Sequence, residues 1–150
     1  DFLKIDGDKY DRFIADSGIF EAPELKDKLT ADGIRVASGY IECIENIYRM
    51  ADVYFFPTKS GDYVISVPLS VMESLSCGTP VVAYSSFKKI TSIETNSSVA
   101  MTLIDDDKDL EKALNFAVGM KRGASYLSSL KKWDEAAAEV LTWIEEDHIK

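Results

Sequence analysis

The stretch ADVYFFPTKSGDYVISVPLSVMESLSCGTPVVAY, residues 51–84, decides the fold. Residues 53–56 are a nearly continuous apolar run, which fits a strand buried on both faces, as in a parallel sheet. Pro57 ends that strand, and a polar loop containing Gly61 follows. A helix is expected to begin near residues 66–68, because the missing N–H of Pro68 costs nothing in a first helical turn. Gly78 is placed to end that helix as the residue just past its C-cap. Residues 80–84 then read as a second buried strand. Strand, loop, helix and strand in this order form the repeating unit of an α/β fold.

Working outward, residues 2–5 resemble the end of a strand, and so abrupt a start suggests that an earlier part of the protein is absent. Residues 9–15 and 23–29 read as short helices, punctuated by Asp6-Gly7-Asp8 and Ser17-Gly18. Gly33 stops the second of them. Residues 34–37 form a strand closed by Ser38-Gly39. A helix over residues 42–50 carries Ile44, Ile47 and Tyr48 at core-facing spacing. Beyond the central stretch, residues 85–98 are polar and loop-like, with a turn of helix within 87–93, and 99–104 is the last strand. Asp106 or Asp107 caps a helix that presents Leu110, Ala113, Leu114, Ala117 and Val118 on one face. The Asp105-Asp106-Asp107 run also admits a metal reading, but a cap favoured by the helix dipole explains it more cheaply. A break at residues 119–123 precedes a long helix over 125–146, striped by Leu127, Leu130, Ala137, Leu141 and Ile144. Trp133 and Trp143 read as core or edge packing on that helix. The expected fold is therefore one α/β domain with a Rossmann-like, doubly wound parallel sheet and a long C-terminal helix.

The bulk composition narrows the partners. At 150 residues with 46% hydrophobic side chains, the chain suits a single domain with a proper core. A net charge of −9 argues against nucleic acid, whose binding rests on Lys and Arg neutralising phosphates. Cys43 and Cys77 fit no metal or redox spacing and read as small buried hydrophobes. His148, the only histidine, stands near the C-terminus, so no Ser-His-Asp or Cys-His arrangement suggests itself. No apolar run approaches a membrane span and no signal peptide opens the chain, so a cytoplasmic setting is the default.

The loop Thr58-Lys59-Ser60-Gly61-Asp62 sits where parallel α/β sheets bind ligands, after a strand and before the next helix. The helix start offers free N–H groups and a positive dipole end, which suits a diphosphate. Thr58 and Ser60 add hydroxyl donors and Lys59 a charge. An ordinary loop with a solvated lysine is the plainer alternative. On the helix, Ser66, Ser70, Glu73 and Cys77 share one face, with Val71, Met72 and Leu75 on the buried side. Glu73 can accept two hydroxyl hydrogen bonds, as a ribose 2′,3′-diol would offer, and such charge-assisted bonds are the stronger class. It can equally be a surface glutamate, or one bonded to the backbone of the turn at residues 77–80.

Glu73-Ser74-Leu75-Ser76-Cys77-Gly78-Thr79-Pro80-Val81-Val82 resembles the E-A-M-A-C-G-T-P-V-V signature of family 4 (group 1) retaining glycosyltransferases. Those are two-domain enzymes of the GT-B fold. Further pieces match in order. Gly39-Tyr40-Ile41 is similar to the family's G-Y/F-V turn, and Tyr48-Arg49-Met50-Ala51-Asp52-Val53 to its Y-x-x-A-D-V. Phe56-Pro57-Thr58 is similar to its L-P-S, and Lys131-Lys132-Trp133-Asp134 to its closing S-W-E segment. The resemblance covers roughly residues 33–147.

The resemblance implies a C-terminal, donor-binding domain for a UDP-, GDP- or ADP-sugar. Glu73 would hold the ribose, and Gly39, Tyr40 and Ile41 would lie against the base. The N–H groups of Leu69 and Ser70 would bind the diphosphate, with Thr58 and Ser60 nearby. No metal or other cofactor is expected. An N-terminal acceptor domain would be the main partner, and peripheral membrane association through it stays open. Two departures stand out. Ile65 occupies the position of a second family Glu that contacts the donor sugar, and the loop before Glu73 is longer than usual. Asp62, or Ser66, could supply that contact from the longer loop, or Asp62 could be a plain turn residue. The Arg and Lys that clamp the diphosphate in the family would precede Asp1, so the fragment alone is expected to be inactive. Two alternatives remain: a degenerate binding or scaffolding domain, and a UDP-sugar 2-epimerase, whose histidines have no counterpart here.

Overall fold

A computed structural model describes residues 5–16, 23–59, 68–90, 100–120 and 133–147. Elements follow in the order β1 (Phe13–Asp16), α1 (Pro23–Ala31), β2 (Arg35–Ser38), α2 (Ile44–Met50) and β3 (Tyr54–Phe56). Then come α3 (Leu69–Ser76), β4 (Val81–Tyr84), α4 (Phe87–Ile90), β5 (Met101–Ile104), α5 (Leu110–Val118) and α6 (Trp133–Asp147). Among the described residues every strand pairing is parallel, but the strands fall into two small sheets, β1-β2 and β3-β4-β5. A single doubly wound sheet was the expectation. Alternating elements in a sequence reveal that strands are parallel; they do not reveal which strands share a ladder.

Both faces of β3-β4-β5 carry helices. Side chains alternate across a strand, so Phe55, Val82, Tyr84 and Ile104 meet Leu110, Ala113, Leu114 and Ala117 of α5 on one side. Phe56, Val81 and Ala83 meet Val71 and Leu75 of α3 and Phe87 of α4 on the other. Phe56 and Phe87 pack edge to face at 5.7 Å. Burial on both faces explains why residues 81–84 read as an unbroken apolar run, and all four are buried.

The helix expected over residues 9–15 is not formed. Phe13–Asp16 instead pairs with Arg35–Ser38 as a strand, and only a turn precedes it, with the Tyr10 N–H donating to the Asp6 carbonyl at 3.0 Å. The ladder with β2 comes from a segment some twenty residues away, which no local window can see, and Phe and Ile suit a strand at least as well as a helix. Other corrections are smaller. Pro68 is the N-cap of α3 rather than part of its first turn. Val118 is 47% exposed and leaves the buried face of α5. Cys43 is exposed at the N-cap of α2 and Cys77 is half-buried, so neither is a buried hydrophobe, and neither is in a disulfide. Trp143 is 55% exposed, which leaves edge packing rather than core packing for it. Of the expected stripe on α6, Leu141 and Ile144 face solvent. Residues 125–132, His148 and most of the strand end expected over residues 2–5 lie outside the described residues. Among the described residues no helix is long and apolar enough to cross a membrane.

The turn between α3 and β4 locks these elements together. Gly78 has φ +77, a left-handed conformation that costs L-residues with a Cβ about 1–2 kcal/mol. Its N–H donates to Leu75 O at 3.0 Å, and the Thr79 N–H donates to Ser74 O at 2.9 Å. That pair of bonds is a Schellman termination, which satisfies two carbonyls the helix end would leave unpaired. Ser74 and Thr79 are both fully buried polar residues. Ser74 Oγ donates to the Thr79 carbonyl at 3.1 Å, and Thr79 Oγ1 donates to the carbonyl of Tyr48 in the last turn of α2. The Tyr54 N–H then donates to Pro80 O at 2.9 Å, fixing the start of β3. Replacing Thr79 by Val keeps the shape and removes the donor to the Tyr48 carbonyl. Because the Tyr48 carbonyl keeps its bond from the Ala51 N–H, urea unfolding should show a loss of about 0.5–1.5 kcal/mol, with Thr79→Ser recovering most of it; an unchanged midpoint in Thr79→Val would remove the lock.

Candidate functional site

The carboxyl ends of β3, β4 and β5 define one edge of the sheet, the edge at which open α/β sheets bind ligands. Three features meet there or just beside it: the start of α3, a carboxylate one turn along it, and an ion pair bridging the strand ends.

At the start of α3, Pro68 supplies no side-chain cap, and the first turn contains no acidic residue. The Val71 and Met72 N–H groups turn back to the Pro68 carbonyl, at 3.1 and 3.3 Å. Leu69 and Ser70 precede them, where an α-helix offers N–H groups no partner of its own. The dipole at this end is therefore uncompensated within the helix, which favours an anion. Leu69 itself is 57% exposed. Ser70 is half-buried, and its Oγ accepts from the Tyr54 hydroxyl at 3.0 Å.

Glu73 is exposed, one turn beyond Leu69. Four residues of helix rise about 6 Å, so the carboxylate lies about one turn from the first N–H groups of the helix. Glu73 Oε2 accepts from the Tyr48 hydroxyl at 3.1 Å. Tyr48 is a buried residue of α2, and its ring meets that of Tyr54 edge to face, at 5.7 Å and 88°. Burial first, and the neighbouring Glu73 second, push the Tyr48 phenol well above the ordinary tyrosine range. Burial also raises Tyr54, against an opposing contribution from its bond to Ser70. Cys77, on the same face, is raised mainly by burial. The buried side of α3 is Val71, Ser74 and Leu75; Met72, expected there, is only half-buried. Ser74 takes that place because its hydroxyl has the Thr79 carbonyl to donate to.

The ion pair was not visible in the sequence. Lys59 Nζ lies 2.7 Å from Asp107 Oδ1, and the Tyr84 hydroxyl donates to the same oxygen at 2.6 Å. Lys59 also stands 4.5 Å from the centre of the Tyr84 ring. Its ammonium is held above the usual lysine range, first by the bond to Asp107. Tyr84 is raised by burial and by Asp107. The aspartate run thus divides its labour. Asp106 caps the turn before α5, accepting from the Lys108 N–H at 3.1 Å, while Asp107 reaches across the strand ends. The run announced a cap, but the partner of Asp107 lies 48 residues away, beyond the reach of spacing arguments. Among the described residues no cluster of His, Cys, Asp and Glu is arranged to hold a metal.

Gly39, Tyr40 and Ile41 follow β2 directly. The Gly39 N–H donates to Asp16 O at 2.8 Å, extending the β1-β2 ladder. Gly39 has φ +94 with open space above its Cα, and Tyr40 is 88% exposed. Ile41 and Thr58 are half-buried. Ser60, Asp62, Ile65 and Ser66 lie outside the described residues, so the structure brings Leu69, Ser70 and Glu73 together and leaves the loop contributions open. A shallow cavity of about 320 Å³ lies elsewhere, between Asp6, Gly7, Asp8, Arg12, Asp32 and Gly33. It flanks the amino ends of β1 and β2, the wrong edge for a ligand of this fold. Its Arg12 guanidinium is occupied in tying the Ile5 and Asp32 carbonyls together.

With this geometry in place, comparison with protein families identifies the class. Residues 13–118 match the family model of the glycosyl transferases group 1, and the chain belongs to that family. It matches no curated protein and no solved structure.

The tyrosines give the site a pH signature. Below their ordinary value of 10.0 both phenols are protonated, folded or unfolded. As pH rises past that value the unfolded chain releases protons first, so stability is full below it and is lost above it. Unfolding free energies measured at about pH 9 and about pH 11 should fall between the two, and Tyr48→Phe should shrink the fall. An identical fall in the variant would contradict the assignment.

Proposed function

We propose that this chain is the donor-binding part of a glycosyltransferase that moves a hexose from a nucleotide-diphosphate sugar to an acceptor with retention. In this reading it is the C-terminal half of a GT-B enzyme, its two small sheets belong to a Rossmann-like unit, and an N-terminal domain supplies the acceptor site. The observation that carries the proposal is the pairing on α3: an uncapped helix start, and an exposed carboxylate one turn along it, in a chain of the group 1 family.

The roles follow from the chemistry of the donor. The N–H groups of Leu69 and Ser70 bind the diphosphate, with Thr58 and Ser60 adding hydroxyls from the preceding loop. Glu73 accepts both hydroxyls of the ribose. The base lies against Gly39-Tyr40-Ile41, where the open space over Gly39 and the exposed Tyr40 ring offer a flat apolar contact. In the reaction, the bond between the sugar's anomeric carbon and the diphosphate oxygen breaks. The acceptor oxygen forms its bond to that carbon, and the acceptor's proton leaves to the departing diphosphate or to solvent. Negative charge builds on the diphosphate as this happens, and the helix start is already aimed at it. Preorganised dipoles of this kind lower barriers because they need no reorganisation at the moment of reaction. The reading assigns no step to a metal.

Ile65 favours a second reading, a domain that binds the nucleotide but has lost its grip on the sugar. Asp62 or Ser66 would restore that grip under the first reading. Thermal unfolding with UDP, GDP and ADP tests the shared core of both. One nucleotide at a hundredfold over its Kd should stabilise the chain by about 2.7 kcal/mol, and Glu73→Ala should abolish most of that gain. Absence of stabilisation by all three would end the donor-site assignment. Binding of nucleotide without any gain from the attached sugar would favour the second reading.

A further inference from the structure

We propose that Tyr48 is the positioning residue for Glu73, fixing the carboxylate in the orientation that reads a ribose diol. The inference rests on the donor-site assignment above and adds a residue on a different helix.

A glutamate on an exposed helix face samples many rotamers and must be ordered each time it binds. Tyr48 removes that freedom. Its own ring has two torsions and is buried, with the Tyr54 ring set edge-on against it. Its backbone is held too, because the Tyr48 carbonyl accepts from both the Ala51 N–H, at 3.2 Å, and the buried Thr79 hydroxyl. The phenol oxygen is therefore a fixed point, and it lies 3.1 Å from Glu73 Oε2. An ionised carboxylate has about four lone-pair sites. Donation from one phenol engages one of them and leaves Oε1, and the rest of Oε2, for two hydroxyls. The protonated phenol donates this bond to the carboxylate, which has no proton of its own to offer when ionised. The same bond couples α2 to α3. Since α2 follows the Gly39-Tyr40-Ile41 turn, the segment facing the base and the carboxylate facing the ribose are held in one frame.

The test separates a positioning role from packing. Calorimetric titration of the chain with UDP, GDP and ADP, and with the 2′,3′-dideoxy form of the tightest binder, gives a ribose-to-dideoxy affinity ratio. Tyr48→Phe should lower that ratio roughly fivefold, the worth of one hydrogen bond, with dideoxy affinity unchanged. In a Glu73→Ala background the same substitution should change nothing further. If Tyr48→Phe keeps the wild-type ratio while Glu73→Ala loses it, Tyr48 is packing alone and the inference falls, with the donor site intact. If Tyr48→Phe weakens ribose and dideoxy ligands equally, its effect is structural and the inference also falls. If the wild type does not distinguish the two ligands, or binds neither, the donor-site assignment fails and takes the inference with it.

Discussion

The hydrogen bond from Thr79 Oγ1 to the Tyr48 carbonyl holds α2 in register with α3 and β4. The Thr79 hydroxyl has no water to fall back on, since Thr79 is fully buried. A hydrogen bond of this kind contributes about 0.5–1.5 kcal/mol net, a noticeable share of the total stability of a domain this size. The turn that places Thr79 needs a left-handed residue before it, which Gly78 provides, and a buried hydroxyl behind it, which Ser74 provides. One short segment thereby ends α3, starts β4, anchors the last turn of α2 and receives the first N–H of β3. The placement of Tyr48 against Glu73 of α3 is a consequence of that anchoring.

The elements nearest this lock were the most legible in the sequence. The boundaries of α3 and β4 could be read from Pro68, Gly78 and an unbroken apolar run, because each reports a local backbone requirement. Glu73 could be singled out because its spacing from the helix start is fixed by helix geometry. Features that depend on distant partners were not legible. Phe13–Asp16 looked helical because its strand pairing is with β2. Asp107 looked like a cap because Lys59 and Tyr84 are brought to it only by the sheet. Tyr48 could be placed on the core-facing stripe of α2, yet nothing in the spacing showed that its hydroxyl would reach a carboxylate on the next helix. Polar side chains on the core side of a helix are the signal to look for, since a buried hydroxyl needs a partner.

Two kinds of electrostatics coexist at the carboxyl edge of the sheet. The Lys59–Asp107 pair is partly exposed and joins the chain just after β3 to the turn before α5. The start of α3 is different, because its charge is spread over backbone N–H groups, with no side-chain cap from Pro68 and no acidic residue in the first turn. Under the proposed donor role, such fixed dipoles would suit a diphosphate better than mobile side chains, which would have to be ordered each time it bound. The group 1 glycosyltransferase family to which the chain belongs gives that arrangement its chemical context.

The most direct measurement is a nitrogen-15 NMR titration of the chain with UDP, GDP and ADP, following the backbone amides. The account predicts that the nucleotide that binds gives its largest amide shifts at Leu69 and Ser70, with smaller ones at Glu73 and at Gly39 to Ile41. Shifts confined to the other edge of the strands, around Asp6 to Arg12 and Asp32-Gly33, would contradict it, as would a spectrum that none of the three nucleotides changes.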